Sequence, residues 1–188
     1  MEIEHRVAAL ETELAALKQG FTRFEKNAGE DNMALVVFSG DLDKALAAFI
    51  MATGAVAMGM EVVMFFTFWA TPLLRKRQGV AKKGKDIFGK MFGAMLPKGA
   101  SKAKLSKMDM GGAGTLMMKK LMKKKNVTSL EKMIEMAGEL GVKIYICQMS
   151  MDLMGFDSSE MIDYPDLGYA GVAKFLEAAG SSRVQMFI

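Results

Sequence analysis

Residues 34–68, ALVVFSGDLDKALAAFIMATGAVAMGMEVVMFFTF, decide the fold class of this chain. Residues 34–38 form a short apolar run with two adjacent valines, which predicts a buried strand. The Ser-Gly-Asp turn at 39–41 provides a helix N-cap, and the apolar stretch after it predicts a helix over 42–58. Residues 61–68 predict a second buried strand. Since a helical connection joins strands in parallel by default, the stretch predicts a right-handed crossover unit.

The same alternation of elements returns after residue 129. The predicted elements are a helix at 130–140, a strand at 142–146, a helix from Met151, a short helix at 160–162, a turn at 165–169, a helix at 171–179 and a closing strand at 184–188. Alternation of this kind predicts a parallel sheet with helices on both faces. The expected fold class is α/β, a small doubly wound parallel sheet of about five strands.

Apolar residues in the N-terminal segment recur at alternating spacings of four and three: Ile3, Val7, Leu10, Leu14, Leu17, Phe21 and Phe24. This heptad pattern predicts an amphipathic helix that ends near residues 27–29. Two interpretations remain open, a short coiled coil with another chain and a helix that packs on its own domain. We expect a separate N-terminal helix at 1–28 and an α/β domain at 33–188.

Basic residues are concentrated between Arg75 and Lys125, where 16 lysines and arginines accompany two acidic residues in a chain of net charge +4. We interpret residues 78–125 as an insertion with two short amphipathic basic helices and a glycine-rich connector. Lysines interleaved with phenylalanine and methionine favour peripheral contact with a membrane surface over nucleic acid, for which arginine and stacking aromatic residues are typical. A solvated basic face that packs on the acidic part of the chain, or on a second copy, explains the same pattern.

The longest apolar stretch, residues 45–60, is shorter than the about 20 residues of a membrane span, and Glu61 follows it directly. We interpret this stretch as a buried helix followed by a strand. The N-terminal segment is charged and helical rather than a secretory signal, and a single cysteine in 188 residues is typical of a reducing compartment. We expect a cytoplasmic protein.

Cys147 is the only cysteine, and it lies where the predicted strand 142–146 meets the start of a helix. A thiol that faces a helix N-terminus is held partly as thiolate. One cysteine excludes an intrachain disulfide, a CxxC redox pair and a thiolate-rich zinc site. An inert buried thiol is the alternative, since free cysteine is among the most buried residue types.

The loops after the predicted strands are expected to line the same site, because ligands bind at the carboxyl ends of strands in open α/β sheets. Backbone N–H groups around 149–151 would stabilise a thiolate there, with Ser150 as a helix cap, whereas Asp152 would oppose the anion unless its side chain points away. The candidate reactive group is Cys147, and the candidate lining residues are Ser39, Gly40, Asp41, Trp69, Met149, Ser150, Met151 and Asp152.

The stretch CQMSMDLMG at 147–155, the order of elements and the lysine- and methionine-rich insertion resemble the DsrE/DsrF-like sulfurtransferase family. The likeness is to its DsrE-like branch, which also carries a peroxiredoxin-family label, and it covers residues 33–188. This resemblance implies a Rossmann- or flavodoxin-like fold, assembly into a homo-oligomer, and a persulfide on Cys147 that moves between donor and acceptor proteins. The large insertion departs from the better understood carriers, so it leaves substrate and partner open.

Other chemistries have weaker support in the sequence. His5, the sole histidine, is far in sequence from Cys147, and the GGAG stretch does not match a nucleotide-binding loop. We expect no resident cofactor and no metal, with a copper(I) site formed by Cys147 and the methionines Met149, Met151 and Met154 as a minor alternative. The open functions besides a sulfurtransferase or sulfur carrier are a scaffold that docks through the insertion and a peroxidase that uses another molecule's resolving thiol.

Overall fold

The computed structural model describes residues 2–27, 30–77, 91 and 95–188. The chain divides into two compact units, Met1–Glu30 and Asp31–Ile188. The first unit consists of helix α1 (Glu2–Asn27), which spans the predicted heptad. The second unit contains the sheet and the helices that cover it.

The sheet of the second unit has five strands within the described residues, in the spatial order β4-β3-β2-β1-β5. The strands are β1 (Glu30–Val37), β2 (Glu61–Phe66), β3 (Lys143–Cys147), β4 (Leu167–Ala170) and β5 (Ser182–Phe187). The neighbours β1 and β2, β2 and β3, and β3 and β4 all pair in parallel. The predicted α/β class with a parallel sheet and an N-terminal helix is confirmed.

Alternate residues of the central strands point into one hydrophobic core. In β3, for example, Ile144 and Ile146 are fully buried in this core, as are Met64 and Phe66 of β2. Helices α2 (Leu42–Ala57) and α4 (Leu130–Glu139) cover this face of the sheet, and they pack against each other. The period-two alternation of side chains along each strand explains why one face collects these residues.

The opposite face of the sheet is covered by α6 (Val172–Ser181), the helix between β4 and β5. Its Phe175 ring lies 6.0 Å from the ring of Phe65 in β2, measured between centroids. Its N-terminal half leaves Val172 and Leu176 exposed. Helices on both faces make the sheet doubly wound.

Several element boundaries differ from the prediction: for example, β1 begins at Glu30 rather than at residue 34, and the short helix expected at 160–162 is a 3₁₀ helix over Ser158–Glu160. Residues 165–169, expected to be a turn, include most of strand β4, which pairs Gly168 with Tyr145 of β3. The predicted strand 61–68 ends at Phe66, and a 3₁₀ helix follows over Phe68–Leu74. The helix expected from Met151 is α5 (Gln148–Met154), which begins directly after β3.

The first turn of α2 makes different hydrogen bonds from those that the prediction of an N-cap implies. Asp41 occupies the N-cap position, but its side chain makes no capping hydrogen bond. Instead the backbone N–H of Leu42 donates to the Lys104 carbonyl at 2.7 Å. The backbone N–H of Ser106 donates to the Asp43 carboxylate at 2.8 Å. The segment around residue 105 therefore holds the first turn of α2 through tertiary hydrogen bonds.

The predicted insertion is described only in part. Its first amphipathic helix, expected around residues 87–96, lies largely outside the described residues, whereas its second corresponds to α3 (Ala113–Lys124). In the parts of the chain that the structure describes, no helix combines the length and the apolarity needed to cross a bilayer. The apolar residues 45–60 belong mainly to α2, a 16-residue helix with one face in the core.

Candidate functional site around Cys147

Cys147 is at once the last residue of β3 and the N-cap residue of α5. No loop separates the two elements, so the thiol lies at the carboxyl edge of the sheet and at the start of a helix. Its residue is 5% exposed, and its sulfur forms no disulfide. The first backbone N–H groups of a helix have no partner within the helix, which makes them available to an anion at this position.

Ser150 does not cap α5, contrary to the prediction. It lies within the helix and is fully buried. Its hydroxyl oxygen is 2.9 Å from the hydroxyl oxygen of Thr67 and accepts the backbone N–H of Phe68 at 3.0 Å. The side chain thus joins the first turn of α5 to the segment that follows β2.

The pKa of the Cys147 thiol reflects two opposing effects. Burial raises it, because a thiolate is less stable away from water. Hydrogen bonds to the sulfur from the Ser150 side chain and backbone, the Thr67 side chain and the Met149 backbone N–H lower it. The hydrogen bonds outweigh burial, so the pKa of Cys147 lies below its ordinary value. The thiolate is the nucleophilic form of cysteine, and this arrangement favours it.

Two hydroxyl protons serve the thiolate and the contact between Thr67 and Ser150. If Ser150 donates to the sulfur of Cys147, Thr67 is left to donate to the Ser150 oxygen; if Thr67 donates to the sulfur, Ser150 donates to Thr67. Either arrangement provides the sulfur with one hydroxyl donor in addition to the backbone donors. The sulfur therefore keeps one hydroxyl donor, whichever of Thr67 and Ser150 supplies the proton.

The segment that follows β2 adopts a conformation that brings its backbone to Ser150. Phe68 has φ of 45°, in the left-handed region that is uncommon for residues other than glycine. Trp69, a predicted lining residue, follows it and is 48% exposed. The indole therefore lies at the surface, two residues after Thr67.

The predicted turn residues Ser39, Gly40 and Asp41 lie beside this segment. A Cβ atom on Gly40 would be 2.2 Å from the Trp69 carbonyl oxygen, so only glycine permits this close backbone approach. Asp41 accepts the Ser39 hydroxyl and the Lys44 ammonium, both at 2.8 Å. Among the described residues, the hydrogen bonds of Ser39 and Asp41 stay within their own loop, the first turn of α2 and the C-terminus rather than reaching Cys147.

The predicted lining residues of α5 point in different directions. Met149 is 57% exposed, whereas Met151 is 1% exposed and belongs to the core. The Asp152 carboxylate accepts the side-chain amide of Gln148 at 2.9 Å on the exposed side of the helix. Because Met154 also lies in the core, the three methionines of the copper(I) alternative do not share one surface.

The sequence pattern placed Thr67 near the end of the predicted strand 61–68 and did not predict its hydrogen bond to the site. The register pairs Phe66 of β2 with Ile146 of β3, which places Thr67 across from Cys147. A hydroxyl residue directly after a buried strand was the available signal. Within the residues that the structure describes, no group of three His, Cys, Asp or Glu side chains is arranged to hold a metal ion.

Comparison with known proteins identifies the family of this chain. The family model described as "DsrE/DsrF/DrsH-like family" matches residues 29–187. The chain belongs to the DsrE/DsrF/DrsH-like family. Helix α1 precedes the matched range, which contains all five described strands from residue 30 to residue 187 and Cys147. The resemblance carried by the CQMSMDLMG stretch is confirmed.

Two proteins align with this member of the DsrE/DsrF/DrsH-like family over most of their own lengths. The uncharacterized protein YrkE of Bacillus subtilis (strain 168) is 49% identical over 154 residues, which are 82% of this chain and 94% of that protein. The sulfur carrier protein DsrE2 of Allochromatium vinosum is 37% identical over 170 residues, which are 85% of this chain and 99% of that protein.

Proposed function

We propose that this protein is a sulfur carrier that holds a persulfide on Cys147 and passes its outer sulfur to a partner thiol. The observation that carries the proposal is the hydrogen-bonded thiol of lowered pKa at the joint between β3 and α5. The relative named as a sulfur carrier supports it. A single thiolate is sufficient for this chemistry, so no cofactor is required.

The proposed transfer consists of two thiol exchanges. The Cys147 thiolate attacks the outer sulfur of a donor persulfide, a sulfur–sulfur bond forms, and the donor leaves as a thiolate. The acceptor thiolate then attacks the same outer sulfur, and Cys147 leaves as a thiolate. The outer sulfur keeps its oxidation state throughout, and the reaction needs neither an oxidant nor a reductant.

The hydrogen bonds at Cys147 suit both halves of this cycle. They stabilise the thiolate that attacks the donor, and they stabilise the same thiolate when it leaves toward the acceptor. Their balance against burial matters, because a thiol of very low pKa is a weaker nucleophile. The donor and acceptor are proposed to be proteins in a reducing compartment, the cytoplasm.

The surface around the site is suited to a protein partner. Trp69 and Met149 are each about half exposed, and Leu153, one turn after Met149 on α5, is 62% exposed. Exposed tryptophan and methionine side chains are enriched at protein interfaces. We propose that a donor or acceptor covers these side chains when its thiol reaches Cys147.

Intact-mass spectrometry tests the carrier function. The protein is reduced, incubated with a persulfide donor, freed of excess donor and weighed, and the expected product carries one additional sulfur atom. The Cys147→Ser variant should gain none. Addition of a thiol acceptor should return the original mass. A wild-type protein that gains no sulfur, or a serine variant that gains as much, would contradict the proposal.

The exposed face of α3 supports a second candidate function, docking on an anionic membrane surface. Leu116 and Met117 are 59% and 67% exposed, and Leu121 one turn later is 48% exposed. The helix has Lys123 and Lys124 in its last turn. A basic amphipathic helix with exposed apolar residues binds anionic lipid surfaces.

Cosedimentation with vesicles separates docking from the carrier function. Vesicles of phosphatidylserine and phosphatidylcholine should retain the protein at low salt, and a Leu116→Glu/Leu121→Glu variant should bind less. Raising the salt concentration should weaken binding, because exposed charges are screened. If the wild type and the variant sediment equally with neutral and with anionic vesicles, this second function is refuted. That result would not bear on sulfur transfer at Cys147.

A further inference from the structure

Helix α1 leaves an apolar stripe exposed. The exposed fractions are 48% for Val7, 64% for Leu10, 54% for Leu14, 71% for Leu17 and 65% for Phe21. These side chains form one seam, because their spacings of three and four residues follow the turn of a helix. A helix obtains most of its stability from packing such a face, so the stripe requires an apolar partner surface.

The charges beside this seam select one arrangement of partners. With Val7, Leu14 and Phe21 at heptad position a, Arg6 and Glu13 occupy position g. Glu11 and Lys18 occupy position e, and all four charged residues are exposed. In a parallel coiled coil, a residue at g faces the partner's residue at e in the next heptad, five positions later in sequence.

A second copy of α1 in parallel register gives opposite charges at each of these g-to-e pairs. Arg6 faces the partner's Glu11, and Glu13 faces the partner's Lys18, so both pairs are attractive. An antiparallel arrangement places g beside g and e beside e, so Arg6 and Glu13 no longer face Glu11 and Lys18, and at most one pair, such as Glu11 with Lys18, stays attractive. Charge complementarity therefore favours an identical helix in the parallel orientation.

A membrane surface fits the same stripe less well. The sequence of α1 contains five acidic and four basic residues, which are distributed along both sides of the seam. Interfacial helices that bind anionic lipids carry lysine and arginine on their polar face. Helix α1 lacks this excess of basic residues.

We infer that residues 6–21 of two copies form a parallel, in-register coiled coil, which makes the protein a dimer through α1. This helix lies outside the matched family domain, so the contact is specific to chains that carry the heptad. Parallel pairing places the two Asn27 ends together, and a Cys147-bearing α/β unit follows each of them. The dimer thus contains two copies of Cys147.

Cysteine crosslinking of the full chain tests the register. In a Cys147→Ser background, Val7→Cys and Phe21→Cys are made separately and oxidised with copper–phenanthroline, which accepts the two electrons released as each disulfide forms. Parallel pairing places position 7 against position 7 and position 21 against position 21. Both variants should give a disulfide-linked dimer at least about tenfold faster than Gln19→Cys, whose residue faces away from the seam.

Charge reversal tests the partner. Added to the Phe21→Cys protein, either Arg6→Glu/Glu13→Lys or Glu11→Lys/Lys18→Glu makes both pairs repulsive at unchanged net charge, so each variant alone should crosslink slowly. An equimolar mixture restores attraction and should crosslink at the original rate. The neutral-sum control Ala9→Lys/Gln19→Glu should have no effect. Crosslinking at position 7 or position 21 but not both, no crosslinking at all, or a mixture that stays slow would overturn the inference.

Discussion

The hydroxyl oxygens of Ser150 and Thr67 lie 2.9 Å apart, although 83 positions separate the two residues in sequence. Thr67 follows β2, and Ser150 lies in the first turn of α5. Either hydroxyl can donate to the sulfur of Cys147. The reactivity of the thiol therefore depends on the contact between two elements and not on the sequence around Cys147 alone.

Removal of both the Ser150 and the Thr67 hydroxyl should raise the pKa of Cys147. In Thr67→Val/Ser150→Ala, the thiolate loses its hydroxyl donor while its burial remains, and burial favours the neutral thiol. The rate of alkylation by iodoacetamide rises with the thiolate fraction, so its midpoint should move to higher pH than in the wild type. Stopped-flow measurement of the rate against pH reads this midpoint directly.

Thr53→Val is the matched control for this prediction. The Thr53 hydroxyl donates to the Phe49 carbonyl within α2, so its removal also deletes a half-buried hydrogen bond. The midpoint for Cys147 should not move in this variant. An unchanged midpoint in Thr67→Val/Ser150→Ala, or an equal shift in the control, would show that the hydroxyl pair does not set the pKa of the thiol.

Replacement of Gly40 by alanine should destabilise the fold. The added Cβ would lie 2.2 Å from the carbonyl oxygen of Trp69, so the backbone must shift at a cost of about 1–3 kcal/mol. Gly54→Ala is the contrasting control in α2, because its Cβ meets nothing within 4 Å. That change should stabilise the protein by about 0.5–1 kcal/mol. Urea unfolding measures both, and equal effects would refute the close approach at Gly40.

Replacement of one partner of the buried ion pair between Arg75 and Glu160 should strongly lower the free energy of unfolding. Arg75 donates to the Glu160 carboxylate at 3.0 Å and stacks over the Phe156 ring, with 4.4 Å from its guanidinium carbon to the ring centroid. The two side chains are 7% and 2% exposed. Arg75→Met leaves a buried carboxylate without its cation and should lower the free energy of unfolding by about 3–5 kcal/mol.

A double-mutant cycle checks the same pair. Arg75→Met/Glu160→Leu removes both charges, and its loss should be smaller than the sum of the two single losses. The Glu160 carboxylate also accepts the Asp157 N–H at 3.1 Å, so part of its loss will persist in the double variant. Strictly additive losses in urea unfolding would show that the two charges do not stabilise each other.

Thr71→Val should leave stability unchanged or raise it. The Thr71 side chain is fully buried in the 3₁₀ helix after β2, and its hydroxyl is without a hydrogen-bond partner in the described structure. Burial of an unpaired hydroxyl costs about 1–3 kcal/mol, whereas valine has nearly the same shape. Thermal unfolding should show an equal or higher midpoint. A clear decrease would indicate that the hydroxyl has a partner, such as a buried water.

Local patterns in the sequence predicted the order of strands and helices and the place of Cys147 at the end of a strand. Buried strands such as β1 and β2 are recognisable because each is a short apolar run beside a turn. Strand β4 was missed because its four residues include Gly168 and lack this pattern. Its strand conformation depends on pairing with β3. The Tyr145 ring of β3 lies so close to Gly168 that a Cβ atom there would be 2.6 Å from the ring.

The site around Cys147 divides in the same way. The sequence alone determined that Cys147 lies at the end of a strand and before a helix, because both elements are recognisable from the residues next to it. Only the tertiary structure decided that α5 begins directly at Cys147, that Ser150 faces inward and that Thr67 lies beside it. Those positions follow from the parallel register of β2 and β3, which brings distant residues together through hydrogen bonds that no local pattern encodes.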